Sequence, residues 1–157
     1  SEHPYGTCLC LASRRLARVL TQAYDRALSS EGLKITQFSV MAALDYRQGQ
    51  PTPLAAVAEA LDIEPSSLTR ALGPLVRDGL VEVSHGEDRR QRFGRLSEAG
   101  RKKLFAAQAR WARVQEHARA CLGANEMRAL TEHLNDSRRR IQDFESTVTP
   151  TIDGDVK

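Results

Sequence analysis

Apolar residues recur at helical spacing along most of this chain, interrupted near residues 80–96 by a strand pattern. Residues 8–30 predict a first helix. Leu9, Ser13, Leu16, Leu20 and Ala27 fall near one face, Ala12, Val19 and Ala23 widen it, and Arg14, Arg15, Arg18 and Arg26 lie mainly elsewhere. Gly32 is a stop signal past its end. Thr36 is the expected N-cap of a second helix, with Phe38, Met41, Ala42 and Leu44 on its buried side. A break follows, and Thr52-Pro53 is expected to open a third helix over 54–61, since proline suits the first helical position. Asp62, Ile63 and Glu64 make a tight turn. Pro65 then starts a fourth helix, with Leu68, Ala71, Leu72, Leu75 and Val76 on one stripe.

Gly79 marks the end of that helix. Residues 80–84 and 93–96 read as two short strands around a turn opened by Gly86. Ser97 caps a long fifth helix carrying Leu104, Ala107, Trp111 and Val114, and Gly123 breaks it. A sixth helix over 125–145 carries Met127, Leu130, Leu134, Ile141 and Phe144. The last ten or so residues are expected to be a loose tail. Pro74 lies inside the fourth helix, where it removes a backbone bond and crowds the Arg70 carbonyl. With Gly73 before it, local rules alone predict a break.

Composition fits this helical reading. The chain has 157 residues, 41% hydrophobic but only 5% aromatic, so Leu, Ala and Val must fill the core. Net charge is +3, and the basic residues are mostly arginine, the side chain suited to bidentate contact with phosphate and base edges. Three cysteines do not make a disulfide scaffold. No apolar run approaches the roughly 18 residues of a membrane span, and no signal-peptide pattern opens the chain. A cytoplasmic protein without membrane contact is expected.

The order helix, short helix, tight turn, helix, strand, turn, strand carries the functional information. Helices at 54–61 and 65–78 joined by a few residues make a helix-turn-helix, whose second helix enters the DNA major groove. The inward face of that helix is Leu68, Leu72, Leu75 and Val76. Its outward face begins with Pro65, Ser66, Ser67, Thr69 and Arg70, and Arg77 lies toward its end. Arg70 can read guanine, and Thr69 can meet a thymine methyl or a phosphate.

The hairpin adds Arg89, Arg90, Arg92 and Arg95 within seven residues. Arginine at such a tip is suited to a narrow minor groove. Asp88 repels phosphate, so it needs another role: the expectation is that it hydrogen-bonds Arg90 and aims its guanidinium. Taken alone, an amphipathic helix is usually a surface helix and an arginine-rich hairpin is often a solvated turn. In this order and spacing they point to double-stranded DNA as the partner.

At these residues the chain resembles the MarR family of winged-helix regulators over nearly its whole length. Asp88, Arg90, Arg92, Leu96 and Ser97, followed by Glu98-Ala99-Gly100-Arg101, are similar to the family's D-x-R…L-T-x-x-G run, with Ser97 where Thr is commoner. Leu72 through Gly79-Leu80-Val81 matches the recognition helix and its exit. Gly32-Leu33 with Thr36-Gln37-Phe38 matches the start of the second helix. The resemblance implies one domain over 1–157, mainly α with a small β-hairpin wing. It places a winged helix-turn-helix lobe at 34–99 and dimerisation helices at 8–30 and 100–146, interleaved with a second copy. It also implies a continuous, kinked fourth helix through Pro74. Such a homodimer reads a near-palindromic site with half-sites about one helical turn apart. The apolar terminal helices agree, since they exceed what one lobe can bury. Family members mostly repress, and many are released from DNA by a small phenolic or anionic effector bound between dimer core and lobe.

Some relatives sense organic hydroperoxides with a cysteine near the start of the first helix. Cys10 falls at that position and Tyr24 where a tyrosine contacts it, but Arg14 stands where a second tyrosine is found. The opposing reading makes Cys8 and Cys10 small packing residues. His117 and Cys121 are four apart on one helix, but two donors are too few for a structural zinc site, so no metal or other cofactor is expected. No convergent acid–base pair, nucleophile motif or phosphate loop points to an enzyme. Trp111 and Phe105 read as core or dimer packing. A winged helix used only for protein association remains the contrasting class, and the dense arginine of the wing argues against it.

Overall fold

The computed structural model describes residues 6–148, and the expected tail lies outside the described residues. The order is α1 (Leu9–Leu28), a single 3-10 turn (Ser29–Glu31), α2 (Ile35–Asp45), β1 (Thr52–Pro53), α3 (Leu54–Leu61), α4 (Pro65–Arg77), β2 (Val81–His85), β3 (Arg92–Leu96), α5 (Glu98–Leu122) and α6 (Ala124–Val148). The chain divides into two compact units, one through Val114 and one from Gln115.

The first unit holds the core. Leu28, Val40, Met41, Leu44, Val57 and Leu75 are fully enclosed, with Leu104 and Ala107 of α5 packed among them. Leucine and valine fill the space, as the low aromatic content requires. Trp111 stacks on Phe38, with ring centroids 6.1 Å apart at 17°. Phe105, by contrast, is exposed and is not part of the core formed by the described residues.

Several local expectations change. Thr36 is not the N-cap of α2: the N-cap is Lys34, two residues earlier, and the helix starts at Ile35. Its first amides are satisfied instead by Gln37 Oε1, which accepts the Lys34 N–H at 2.9 Å, and by Asp25 of α1, whose Oδ1 accepts the Ile35 N–H at 2.8 Å. A side chain from a neighbouring helix thus does the work of a local cap. Ala42 lies on the exposed side of α2. Thr52-Pro53 does not open α3 but forms a third strand, antiparallel to β3 with Thr52 opposite Gly94. The sheet order is β1-β3-β2. Two residues are too short for any alternation to show, so nothing local marked the strand.

The fourth helix runs unbroken through Pro74. Proline lacks the N–H to bond the Arg70 carbonyl, but Leu72 and Leu75 on either side are buried and hold the turn in place. Val76, expected on the inward stripe, is 41% exposed. At 100° per residue it lies about 70° from the centre of the Leu68, Leu72 and Leu75 stripe, at the edge of the buried face.

In the second unit several large apolar side chains of α6 stay exposed. Leu130, Leu134, Ile141 and Phe144 on α6 are 37–64% exposed, and no described residue of α6 is buried. Among the described residues no helix is long and apolar enough to cross a membrane.

Candidate nucleic-acid interface

The turn between α3 and α4 is closed by backbone geometry. Asp62 adopts a left-handed conformation at φ 52° and ends α3, and the Ile63 N–H donates to the Ala58 carbonyl at 3.0 Å. Aspartate tolerates this region better than most side chains. Glu64 is extended and its carbonyl accepts the Ser67 and Leu68 N–H groups, so α4 starts at Pro65 as expected. Leu68, Leu72 and Leu75 anchor α4 to the core. That fixes which residues face out: Pro65, Ser66, Thr69, Arg70 and Arg77 are exposed and Ser67 is half-buried.

Two of the outward side chains are already oriented. The Arg70 Nη2 donates to Ser67 Oγ at 3.3 Å, one turn back along the helix. The Thr69 hydroxyl donates to the Pro65 carbonyl at 3.0 Å. With its proton engaged, Thr69 presents a methyl group and oxygen lone pairs. It is therefore better matched to a thymine methyl or a base amino group than to a phosphate oxygen. Arg77 stands near Asp78 at 3.9 Å, both exposed, a pairing worth little in water.

The wing consists of β2 and β3 in antiparallel register, with Glu82 opposite Arg95 and His85 opposite Arg92. The Gly86 N–H donates to the Gln91 carbonyl at 2.9 Å and the Gln91 N–H to the Asp88 carbonyl at 2.9 Å. Asp88 does not aim a guanidinium as expected. Its Oδ1 accepts the backbone N–H of Arg90 at 2.9 Å. An aspartate bonding a backbone N–H two residues on is the usual device for tightening a turn. The acid is thus spent on shaping the tip that carries the arginines.

The four wing arginines are not equivalent. Arg95 is bound across the strands by Glu82, at 2.6 Å from Nη2 and 2.7 Å from Nε. Arg89, Arg90 and Arg92 are exposed and form no ion pair with any described residue. The last two line a cleft of about 430 Å³ together with Thr69, Leu68, Pro53 and Phe93. The start of the recognition helix and the arginines of the wing therefore meet around one concavity, with an apolar floor and a basic rim.

The base of the wing explains the motif that follows it. Ser97 Oγ accepts the Gly100 N–H at 3.0 Å, capping α5 as expected. The same hydroxyl donates to the Gly79 carbonyl at 2.6 Å, and the Ser97 N–H donates to the Leu80 carbonyl at 3.0 Å. A Cβ at Gly100 would run into the Leu80 carbonyl oxygen. Gly94 carries no signal in the sequence that would single it out: a Cβ there would stand 2.9 Å from Leu54 Cδ2 and 3.2 Å from Leu44 Cδ2. Its bareness lets β3 lie directly on α2 and α3.

The redox candidates are placed differently. Cys8, Cys10 and Cys121 are all exposed free thiols, so none is a packing residue within the chain. Tyr24 is half-buried against the core. Cys10 and Tyr24 share α1 fourteen residues apart, about 21 Å at 1.5 Å per residue, so they do not meet within one chain.

The MarR family model matches residues 31–91. The chain is similar to the Mycobacterium tuberculosis transcriptional regulator MosR in two crystal structures. For its complex with DNA the identity is 36%, covering 85% of this chain and 98% of that one, with a TM-score of 0.73. For the other structure the identity is 34%, covering 87% and 98%, with a TM-score of 0.75. The PcaV regulator from Streptomyces coelicolor, solved with its natural ligand, shares the fold at 24% identity and a TM-score of 0.76, covering 91% of this chain and 97% of that one. No match is found among curated protein sequences.

Proposed function

The chain belongs to the MarR family of transcription regulators, and from that premise we propose that it acts as a homodimeric, sequence-specific repressor released from DNA by a small effector. Pro65, Ser66, Ser67, Thr69 and Arg70 read the major groove, while Arg77, Arg89, Arg90 and Arg92 hold the backbone and the minor groove around an Asp88-shaped tip. The carrying observation is the shared cleft: the start of α4 and the wing arginines converge in a single lobe. Its role is binding, not catalysis, and it acts in the cytoplasm.

Dimerisation is supported by the uncovered apolar side chains of α1 and α6. Leu9 and Val19 are each 62% exposed, and Leu130, Leu134 and Ile141 along α6 are 37–46% exposed. Covering such rows removes apolar surface from water, which favours association. Helices at 8–30 and 100–146 supply that surface, and two lobes then read two half-sites of a near-palindrome. The effector is a phenolic or anionic molecule seated between dimer core and lobe. The PcaV structure, with its natural ligand bound, is a precedent for ligand binding on this fold.

The exposure of Cys10 favours a second reading, a thiol switch on the same scaffold. Its thiolate would attack an organic hydroperoxide, breaking the O–O bond to leave Cys–SOH and an alcohol. Any Tyr24 contact would then come from the second chain.

The test is binding of the purified protein to DNA from just upstream of its own gene, across a salt series, with and without an organic hydroperoxide or an aromatic carboxylate. Tight binding with a steep salt dependence is expected. Release by the carboxylate supports the effector reading. Release by peroxide that disappears in Cys10→Ser supports the thiol switch. Affinity that ignores salt and does not distinguish a scrambled sequence would leave the wing as a protein-association device.

A further inference from the structure

His117 and Cys121 lie one turn apart near the end of α5, and Cys121 Sγ stands 3.6 Å from His117 Nε2. Both side chains are exposed. The spacing of four residues puts them on the same helix face. Their separation has a specific meaning in metal chemistry. A tetrahedral zinc ion holds a thiolate sulfur at about 2.3 Å and an imidazole nitrogen at about 2.0 Å, which sets the two donors about 3.5 Å apart. The observed pair already stands at that bite distance. Thiolate and imidazole also select zinc-class ions over magnesium or calcium, which want oxygen donors. The adjacent carboxylate, Glu116, pairs with Arg119 at 3.6 Å.

Among the described residues no group of three or more His, Cys, Asp or Glu side chains gathers, so a single chain offers two donors here. We propose that His117 and Cys121 form a two-donor seat for a zinc-class divalent ion, its other positions filled by water or by the same pair of a second chain. In the latter arrangement the donors make a Cys2His2 set. Binding forms the metal–sulfur and metal–nitrogen bonds, displaces two waters from the ion and releases the thiol proton to solvent. The seat braces the last turn of α5, just before Gly123 at φ 89° ends the helix.

Cobalt(II) is the probe. The reduced, untagged full chain is titrated with Co²⁺ without air, and the spectrum is compared with those of Cys121→Ser and His117→Ala. Both substitutions are at exposed positions, and circular dichroism checks that the variants fold. A thiolate-to-cobalt charge-transfer band is expected, absent from Cys121→Ser and bleached when Zn²⁺ displaces the cobalt. His117→Ala should weaken cobalt affinity about tenfold or more. One ion per chain means water completes the site, and one per two chains means a second copy does. Three results overturn the proposal: no band in the parent protein, an equal band in Cys121→Ser, or unchanged affinity in His117→Ala. The pair is then a thiol–imidazole hydrogen bond and nothing more.

Discussion

The Ser97 hydroxyl donates to the main-chain carbonyl of Gly79 at 2.6 Å, joining the start of α5 to the exit of the recognition helix. The same oxygen caps α5 through the Gly100 N–H. One side chain therefore holds the two ends of the wing together. Ser97→Ala should destabilise the protein by about 1–2 kcal/mol, while Ser97→Thr, which keeps the hydroxyl, should cost little. Urea unfolding of the three proteins checks this.

Gly100 leaves no room for any side chain. A methyl there meets the Leu80 carbonyl, a backbone atom that cannot swing aside. Gly100→Ala should therefore cost about 3 kcal/mol, toward the upper end of overpacking effects. Thermal unfolding reads it. A stability equal to that of the parent would mean that α5 can slide away from β2.

Arg70 is held by Ser67, so the two should act on one base position. Arg70→Ala should cost about 1–3 kcal/mol of discrimination there. Ser67→Ala should relax preference at the same position by less, because it frees the guanidinium without removing it. Affinities for operator variants substituted one base pair at a time separate this from a general loss of binding.

The wing arginines should divide by their partners. Replacing Arg90 or Arg92 with Ala should lower DNA affinity for all sequences. Each should also reduce the slope of log K against log salt by about 1 for every phosphate no longer neutralised. Arg95→Ala should change that slope little, since Glu82 already neutralises Arg95. A salt series on the three variants decides.

Asp88 shapes the tip through the Arg90 N–H. Asp88→Ala should weaken DNA binding by about 1 kcal/mol, the usual worth of such a hydrogen bond. Asp88→Asn keeps an acceptor and drops a negative charge, so it should bind DNA at least as tightly as the parent protein. Weaker binding by Asp88→Asn would show that the charge itself matters.

Much of the lobe was legible in the chain because its signals are local. Helical spacing set α3 and α4, Pro65 marked where α4 begins, Gly79 marked its exit, and Gly86 marked the turn of the wing. The outward residues of α4 followed from its stripe, since burying Leu68, Leu72 and Leu75 fixes the opposite face. The density of arginine in the hairpin needed no coordinates.

Tertiary structure decided what depends on partners distant in sequence. Asp25 of α1 caps α2 in place of Thr36, because a carboxylate ten residues back is brought to its first amide by the packing of two helices. Thr52-Pro53 becomes a strand only because Gly94 lies beside it. The α4 helix survives Pro74 because leucines on both sides are buried, so packing outweighs one missing backbone bond. Asp88 chose a backbone N–H over a guanidinium because the tight turn brings that donor within reach. Arg95 is held by Glu82 because strand register puts the two opposite each other. The order of residues along the chain puts four arginines in the hairpin, and register, by setting Glu82 opposite Arg95 and His85 opposite Arg92, decides which of them meets a carboxylate.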